Sequence, residues 1–415
     1  MTISTSMVTT PVVTATGTLK RTVSDQIRRL NPVVTPLMSI IKDASTDEMG
    51  KQSYSSGLIG KEKSDTMKFE WFTYTPVDVY VTCTVAGTGT TVGLEVGTFQ
   101  AADTSMFRTR DIVTNLSTLE VGVVNAASAT APTITCISAT WTAAIGDVIA
   151  MSCRTVEEGT SDITPLTKEP DNNYNFCFPF RYSVSIADTA VNSPHYAEQP
   201  LQRYMTDNLT FTLRNAENAL FLGKRAASGD TTTVTIGGTA YSMFTTRGIL
   251  DYATSPIVVN GQNPIDGGGA LTFDQFNTRV FENLPNTLNP SRTLLMFMGK
   301  RIFGRMKNWA DQKLMQIDYG DVDEFGVRPT KFQCGAFTIK PMLHDLFDHG
   351  ALQYQTVILD PDDIVYRFKT GMDIDTKDNL QLPATWGTTR AVQGVIGLQC
   401  ISGGANVRQI INWNN

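Results

Sequence analysis

His344 and His349, with Asp345 and Asp348 between them, are one place in this chain where side chains could gather a metal ion; the third histidine, His195, stands far away. A helical zinc pair needs a spacing of about four residues, which stacks both imidazoles on one face. His344 and His349 are set wider and fall on different faces of a helix, so they read as surface or hinge residues. The six cysteines, Cys83, Cys136, Cys153, Cys177, Cys334 and Cys400, lie far apart and form no CxxC. Buried reduced thiols are expected in preference to disulfides or a zinc site. A Ser-His-Asp set stays open, since its order varies between folds, but no G-x-S-x-G nucleophile elbow occurs. Gly87–Gly93 (GTGTTVG) is followed by no Lys-Ser/Thr and opens no helix, so it reads as a β-turn run and not a phosphate loop. Asp321, Asp323 and Glu324 lack EF-hand spacing and read as a solvated hairpin tip. No catalytic, cofactor-binding or metal-binding residue is assigned.

The charge pattern narrows the classes further. The 415 residues carry a net charge of −6, with 18% charged residues, below the roughly 25% of ordinary domains. Such a surface suits a chain largely covered by neighbours, although secreted β-proteins share it. A strongly basic, nucleic-acid-coating protein is not indicated. Residues 76–175 hold 4 Lys and Arg against 11 Asp and Glu, a net −7, which leaves the rest of the chain at +1. The first 20 residues contain no charged n-region and no apolar h-region, so they do not read as a signal peptide. No apolar run approaches about 18 residues, so no membrane span is expected.

These groups need a frame. Residues 1–20 read as an extended arm, and an arm this polar needs something outside the monomer to hold it. Ser24–Leu30 reads as a short helix capped by Ser24, and Pro36–Ile41 as another turn. In KFEWFTYT, Phe69, Trp71 and Thr73 alternate with Glu70, Phe72 and Tyr74, so both strand faces carry aromatic bulk. On a projecting loop the second face must be covered by another chain. Residues 78–160 hold short β-branched runs every 8–12 residues or so, the pattern of a small all-β unit. Within it Arg110-Asp111 and Gly146-Asp147 echo each other as turn-to-strand entries, and Trp141 is a core residue or a carbohydrate-stacking one.

A strand over Asn175–Ile186 leads to a helix over Pro194–Lys224, with Ser193 as N-cap and Pro194 at its first position. Pro200 should kink or restart it. Leu201, Met205, Leu209, Leu213, Ala216 and Leu220 form one stripe, expected to be core along its length. Residues 241–370 look α/β. Thr272–Gln275 has capping-box form and opens a helix to about Leu284. Arg292–Met298 reads as a buried strand, Lys300–Trp309 as a basic amphipathic helix, and Lys313–Tyr319 with Lys331–Pro341 as a hairpin. Thr356–Asp360, Ile364–Phe368, Gln393–Cys400 and Val407–Trp413 read as strands. The class is α+β.

The order of TPLMSIIKDA, KFEWFTYTP, the β-rich stretch, NYNFCFPFRYSVSIADT, RNAENALFLGKR, TFDQFNTRVFENL, LLMFMGKRIFGRMKNW, VILDPDDIVYRF and GVIGLQCISGGANVRQIINW resembles the major capsid proteins of tailed phages with the HK97-like fold, in the branch similar to phage SU10. The resemblance spans roughly residues 20–415. It implies an N-terminal arm (1–55), an extended loop, or E-loop, with an ascending side (56–77) and a descending side (166–190), and a small all-β insertion between them (78–165). A P-domain with a spine helix (191–240), an A-domain (241–370) and C-terminal strands returning to the P-domain (371–415) follow.

The implied function is a structural subunit that self-assembles into hexamers and pentamers of an icosahedral head enclosing dsDNA, without sequence-specific binding. No enzyme activity, cofactor or membrane is implied. Candidate inter-subunit contacts are Arg28, Arg29, Lys61, Lys63, Trp71, Asp321, Asp323 and Glu324. No long helical segment precedes the arm, which implies a separate scaffolding protein. A portal and a decoration protein are further partners, and assembly is expected in the bacterial host cytoplasm before the chain resides in the virion. The stretch LPATWGTTRAVQG departs from the family by lacking an acidic Glu-x-x-Leu-like pattern. Rival readings are a tail-tube or fibre subunit, or a β-rich carbohydrate-active enzyme.

Overall fold

The computed structural model describes residues 35–41, 44–46, 52–54, 59–74, 79–89, 96–101, 103, 105–137, 140–155, 158, 169–193, 200–225, 232–255, 264–269, 272–284, 293–313, 332–334, 337–381 and 386–413. The expected helix Ser24–Leu30, most of the arm, and Arg28, Arg29, Asp321, Asp323 and Glu324 lie outside the described residues. Two compact units emerge, one made of residues 1–71 with 173–415 and the other of residues 72–172.

The larger unit includes α1 (Pro36–Ser39), β1 (Gly60–Ser64) and the first part of β2 (Lys68–Thr73), a strand that runs on into the second unit. It resumes within β3 (Asp171–Phe176), followed by β4 (Phe178–Ile186), α2 (Asp188–Asn192), α3 (Pro200–Leu222), α4 (Ile249–Thr254), α5 (Phe273–Asn283), β5 (Thr293–Met298) and α6 (Lys300–Lys313). It closes with β6 (Phe337–Leu343), β7 (Thr356–Leu359), β8 (Ile364–Lys369), β9 (Thr388–Cys400) and β10 (Arg408–Ile411). One sheet has the order β4-β9-β8-β1, with Asp375–Lys377 also paired to β9. The other runs Ile265–Asp266, β10, β7, β5, β6, Phe332–Cys334. The two strands β2 and β3 pair with each other.

Strand β5 explains why RTLLMFM is apolar without a break. Its alternate residues serve two cores, one on each face of the sheet. Leu295 and Phe297 join Phe221, Phe347, Val357 and Leu398. Leu294, Met296 and Met298 join Phe276, Ile302, Met306 and Trp413. Each such side chain, fully buried, contributes roughly 1.5–3 kcal/mol. On the second face, α5 is started by the expected capping box: Gln275 N donates to Thr272 Oγ1 at 3.3 Å, and Thr272 N to Gln275 Oε1 at 3.1 Å.

Helix α3 is described from Pro200; the expected start at Pro194 lies outside the described residues, and Ser193, the expected N-cap, ends α2 and donates its hydroxyl to the Thr189 carbonyl at 2.6 Å. The stripe differs from the expectation in not being core throughout. Ala216 and Leu220 are buried, but Leu209 is exposed, as are Tyr204 and Phe211. Only the C-terminal half lies against α4 and the first core; the first half meets strand β4, where Asn208 Nδ2 donates to the Tyr182 carbonyl at 2.9 Å. The helix stops at Gly223, whose carbonyl accepts Gly248 N at 2.8 Å. A Cβ on Gly248 would sit 2.7 Å from the Phe221 carbonyl oxygen, so the two backbones cross where only glycine fits.

Other boundaries move for related reasons. The expected strand Asn175–Ile186 is two strands, because the chain leaves the β2–β3 pair at Cys177 and enters the β4–β9 ladder at Phe178. The expected strand Lys331–Pro341 is also two, Phe332–Cys334 folding back on β6 with Cys334 opposite Phe337. Lys313 closes the described part of α6, and the rest of the expected strand to Tyr319 lies outside the described residues. The sheets do not follow the 241–370 and 371–415 division: β8 belongs with β4 and β9, and β10 with β5 and β7.

The second unit has no helix among its described residues. A seven-stranded sheet orders Val96–Thr98, Thr133–Cys136, Val121–Ala126, Asp111–Asn115, Val148–Arg154, Tyr80–Val85 and Gln100–Ala101. Trp141–Ala143 pairs with Gly87–Gly89, which makes the GTG run a strand. Trp141 is fully buried beside Phe99, ring centroids 6.3 Å apart, and is therefore a core residue. The echo between the two Asp entries is structural. Arg110 and Gly146 have φ of 78° and 93°, and the aspartate after each accepts the amide three residues back, Arg108 N at 2.7 Å and Ala144 N at 2.8 Å.

Candidate functional site

Strand β2 is the element on which the sequence placed a two-sided aromatic surface. Phe69 and Trp71 point into the first core and stack with centroids 5.9 Å apart. Trp71 Nε1 donates to the Ile401 carbonyl at 3.3 Å. On the alternate face Phe72 is 71% exposed, and beyond the strand Tyr74 is exposed too. The pleat thus gives one face to the chain's own core and leaves the other bare. Trp71 itself is covered from within, and Phe72 carries the outward aromatic surface.

Lys61 and Lys63 lie on β1, which runs parallel to β8. Lys61 Nζ is 2.6 Å from Asp373 and sits over the Tyr366 and Phe368 rings. It is a packed, paired cation. Lys63 is exposed, and its carbonyl accepts Arg367 at 3.2 Å. Arg367 also pairs with Glu62 at 2.6 Å. The structure therefore joins Lys61 to a local network and leaves Lys63 facing outward.

The histidines separate. His344 is buried, a correction to its reading as a surface or hinge residue, and His349 is exposed. His344 packs among Phe221, Phe297 and Phe347, because the turn after β6 folds it under the C-terminal half of α3. Among the cysteines, Cys83, Cys136, Cys177 and Cys400 are buried thiols outside any disulfide, while Cys153 is exposed, also against expectation. Burial pushes the Cys177 thiol up to about 12, so it is inert near neutral pH.

A shallow pocket of about 290 Å³ lies beside β4 and β9, lined in part by Phe180, Arg181, Met372, Asp373, Asp375 and Lys377. Its lining holds no nucleophile with a base. Asp373 is engaged by Lys61 and by the Tyr366 hydroxyl at 3.0 Å. The Lys377 ammonium holds the Asp375 carboxyl below its usual range. The Asp375 carboxylate is therefore not a proton donor near neutral pH. Among the described residues no three His, Cys, Asp or Glu side chains are placed to hold a metal ion.

Two residues that hold the framework together escaped sequence reasoning. Asn175 is fully buried; its amide donates to the Leu398 carbonyl at 2.6 Å, and its oxygen accepts Arg247 N at 2.8 Å. Glu217 is buried in α3 and accepts Leu37 N at 2.9 Å. Nothing local marks Asn175; for Glu217 the one readable signal is a glutamate on the apolar side of a helix.

The family model described as "SU10 major capsid protein" matches residues 4–385. The chain belongs to that family. This major capsid protein is a structural protein and not an enzyme. No curated protein matches it. Among solved structures, the capsid asymmetric unit of cyanophage A-1(L) aligns over 97% of this chain and 99% of that one, at 10% identity and a TM-score of 0.51. That likeness establishes the HK97-like fold. The capsid of a native GTA particle aligns over 97% and 99% at 10% identity with a TM-score of 0.47, and the capsid of Myoviridae phage XM1 over 98% and 99% at 8% identity with a TM-score of 0.44. As a tailed-phage major capsid protein, the chain acts as a repeated subunit of a shell.

Proposed function

We propose that the capsid protein uses β2 and β3 as the two sides of its E-loop, with the acidic all-β unit as an insertion between them. The outward face of β2, at Glu70 and Phe72, then packs on a neighbouring copy. One observation carries this reading: a strand whose inner face is sealed by its own core bears an aromatic residue 71% exposed on the other. Phe72 and Tyr74 together present exposed aromatic surface at this end of the strand, and aromatic side chains are enriched where a partner's surface covers them. In this reading Trp71 backs Phe72 from within. Lys63, Arg28 and Arg29 are the cations offered to neighbours or enclosed dsDNA, Lys61 steadies β1, and Asp321, Asp323 and Glu324 meet other copies. Many such contacts, each weak, add up in hexamers and pentamers to a closed shell. A separate scaffolding protein, a portal and a decoration protein complete the head, which assembles in the host cytoplasm.

The test is Phe72→Ala in the full-length chain, read by electron microscopy and by thermal unfolding. The expected outcome is an unchanged unfolding midpoint with at least about tenfold fewer closed particles. Particles at normal yield would remove β2 from the interface.

A further inference from the structure

Helix α6 concentrates positive charge on the face turned away from the second core. Ile302 and Met306 are buried in that core, and Phe303 and Trp309 pack against it. Lys300, Arg301, Arg305 and Lys307 stand between Lys300 and Trp309 with no acidic residue among them, a net +4. Part of this charge is answered within the chain. Lys300 lies 3.2 Å from Asp348, and the Arg301 guanidinium stacks over the Tyr354 ring and donates to its hydroxyl at 3.1 Å. The cations also crowd one another: burial, and after it the like charge of Arg301, push the Arg305 guanidinium below its ordinary value.

Gly304 lies at the centre of the outward face. One turn away stand Lys300 and Arg301 on one side, and Lys307 and Asn308 on the other. A Cβ on Gly304 would meet nothing within 4 Å, so internal packing does not call for glycine here. Glycine inside a helix weakens it relative to alanine. What it provides is bare backbone among cations, where a second surface can come close.

The opposite charge is gathered in the all-β unit. Residues 76–175 carry −7 in a chain of −6. Glu158, Glu169 and Asp171 stand exposed there, whereas Asp111 is buried and paired with Arg154. In a shell every copy presents both surfaces to identical neighbours, and a contact of one patch on a different patch closes rings. Complementary potentials set which patches meet. We propose that the outward face of α6, centred on Gly304, is the docking surface for the acidic all-β unit of a neighbouring copy. This contact is distinct from the Phe72 face of β2. The variants that test it leave Phe72 in place, so each contact can fail without the other.

Charge exchange in the full-length chain tests it, read by electron microscopy for particles and by thermal unfolding for the subunit. Lys307→Glu with Asn308→Glu leaves the Lys300 and Arg301 contacts intact and should give at least about tenfold fewer closed particles at an unchanged unfolding midpoint. Glu158→Lys, Glu169→Lys and Asp171→Lys together should lower the yield as well. Combined with the α6 pair, they should restore it to within about twofold of wild type. Gly304→Gln should raise the unfolding midpoint and still lower the yield, a pair of signs that a purely structural glycine would not give. Normal yield from either α6 variant overturns the proposal. So does a charge exchange without rescue. If the acidic-side variant does not fold, Gly304→Gln decides: a yield equal to wild type overturns the docking surface. Normal numbers of closed particles that retain less duplex DNA would assign the α6 face to nucleic acid and overturn it too.

Discussion

The all-β unit and the layered unit anchor their buried polar groups over different distances along the chain. In the β unit, Asp111 takes Arg108 N and the Arg154 guanidinium, and Asn115 reaches Asp147 and the Thr142 carbonyl, with the widest of these spans 43 residues. In the layered unit Glu217 reaches Leu37 across 180 residues, Asn175 reaches Leu398 across 223, and Trp71 reaches Ile401 across 330. The β unit is one continuous stretch that closes on its own turns. The layered unit is complete only when its N-terminal, middle and C-terminal segments are all in place, and its buried carboxylate and amide are the ties between them. A buried polar group left without its partner costs more than the bond itself contributes, so these ties enforce the arrangement.

Core truncation should give the largest test of that contrast. Trp141→Ala and Phe297→Ala should each cost about 3–5 kcal/mol. The first should lower only the unfolding transition of the β unit and the second only that of the layered unit, as read by denaturant titration with near-UV circular dichroism. A single merged transition in both variants would mean that the two regions are not separately cooperative. Next in size is Gly248→Ala at the backbone crossing with α3. The close approach predicts a loss of about 1–3 kcal/mol, measured as a shift in the layered unit's midpoint. No shift would show that the crossing can open without cost.

Acid response should separate the regions by sign. The Asn115 amide, then Ala144 N and the Ser117 hydroxyl, hold the Asp147 carboxyl below 3.8. Its contribution is present above that ordinary value and is lost as pH falls through the lowered one. Asp363 goes the other way: burial raises its carboxyl, against hydrogen bonds from Ser402 and Cys400. Its contribution is complete below 3.8 and declines as pH rises towards the raised value. Asp147→Asn should therefore flatten the acid limb of the β unit's stability profile, and Asp363→Asn the rising-pH decline of the layered unit. Equal slopes before and after either substitution would remove that carboxylate as the cause.

Much of the framework was legible because its signals are local. The Thr272–Gln275 box gave the start of α5, the apolar run at Leu294–Met298 gave a strand buried on both faces, and the β-branched runs with intervening turns gave the all-β unit. The α3 stripe was read correctly as helix and wrongly as core from end to end. Periodicity reports which residues share a face, but not whether the chain supplies enough surface to cover it. Leu209 and Ala216 belong to the same stripe, and only Ala216 is buried. The candidate contact strand was legible as two aromatic faces; which face the chain would keep for itself was not.

The sequence by itself determined the element types, the acidic balance of residues 76–175 and the family, since these rest on residue order and short-range preference. Only the tertiary structure decided that His344 is buried, that Glu217 caps α1, that Trp71 faces inward while Phe72 faces out, and that β8 and β10 lie in sheets other than those their positions suggested. Each of these depends on which distant segments meet. Side-chain pattern fixes the faces of an element, and burial fixes its partners only when the whole core has closed.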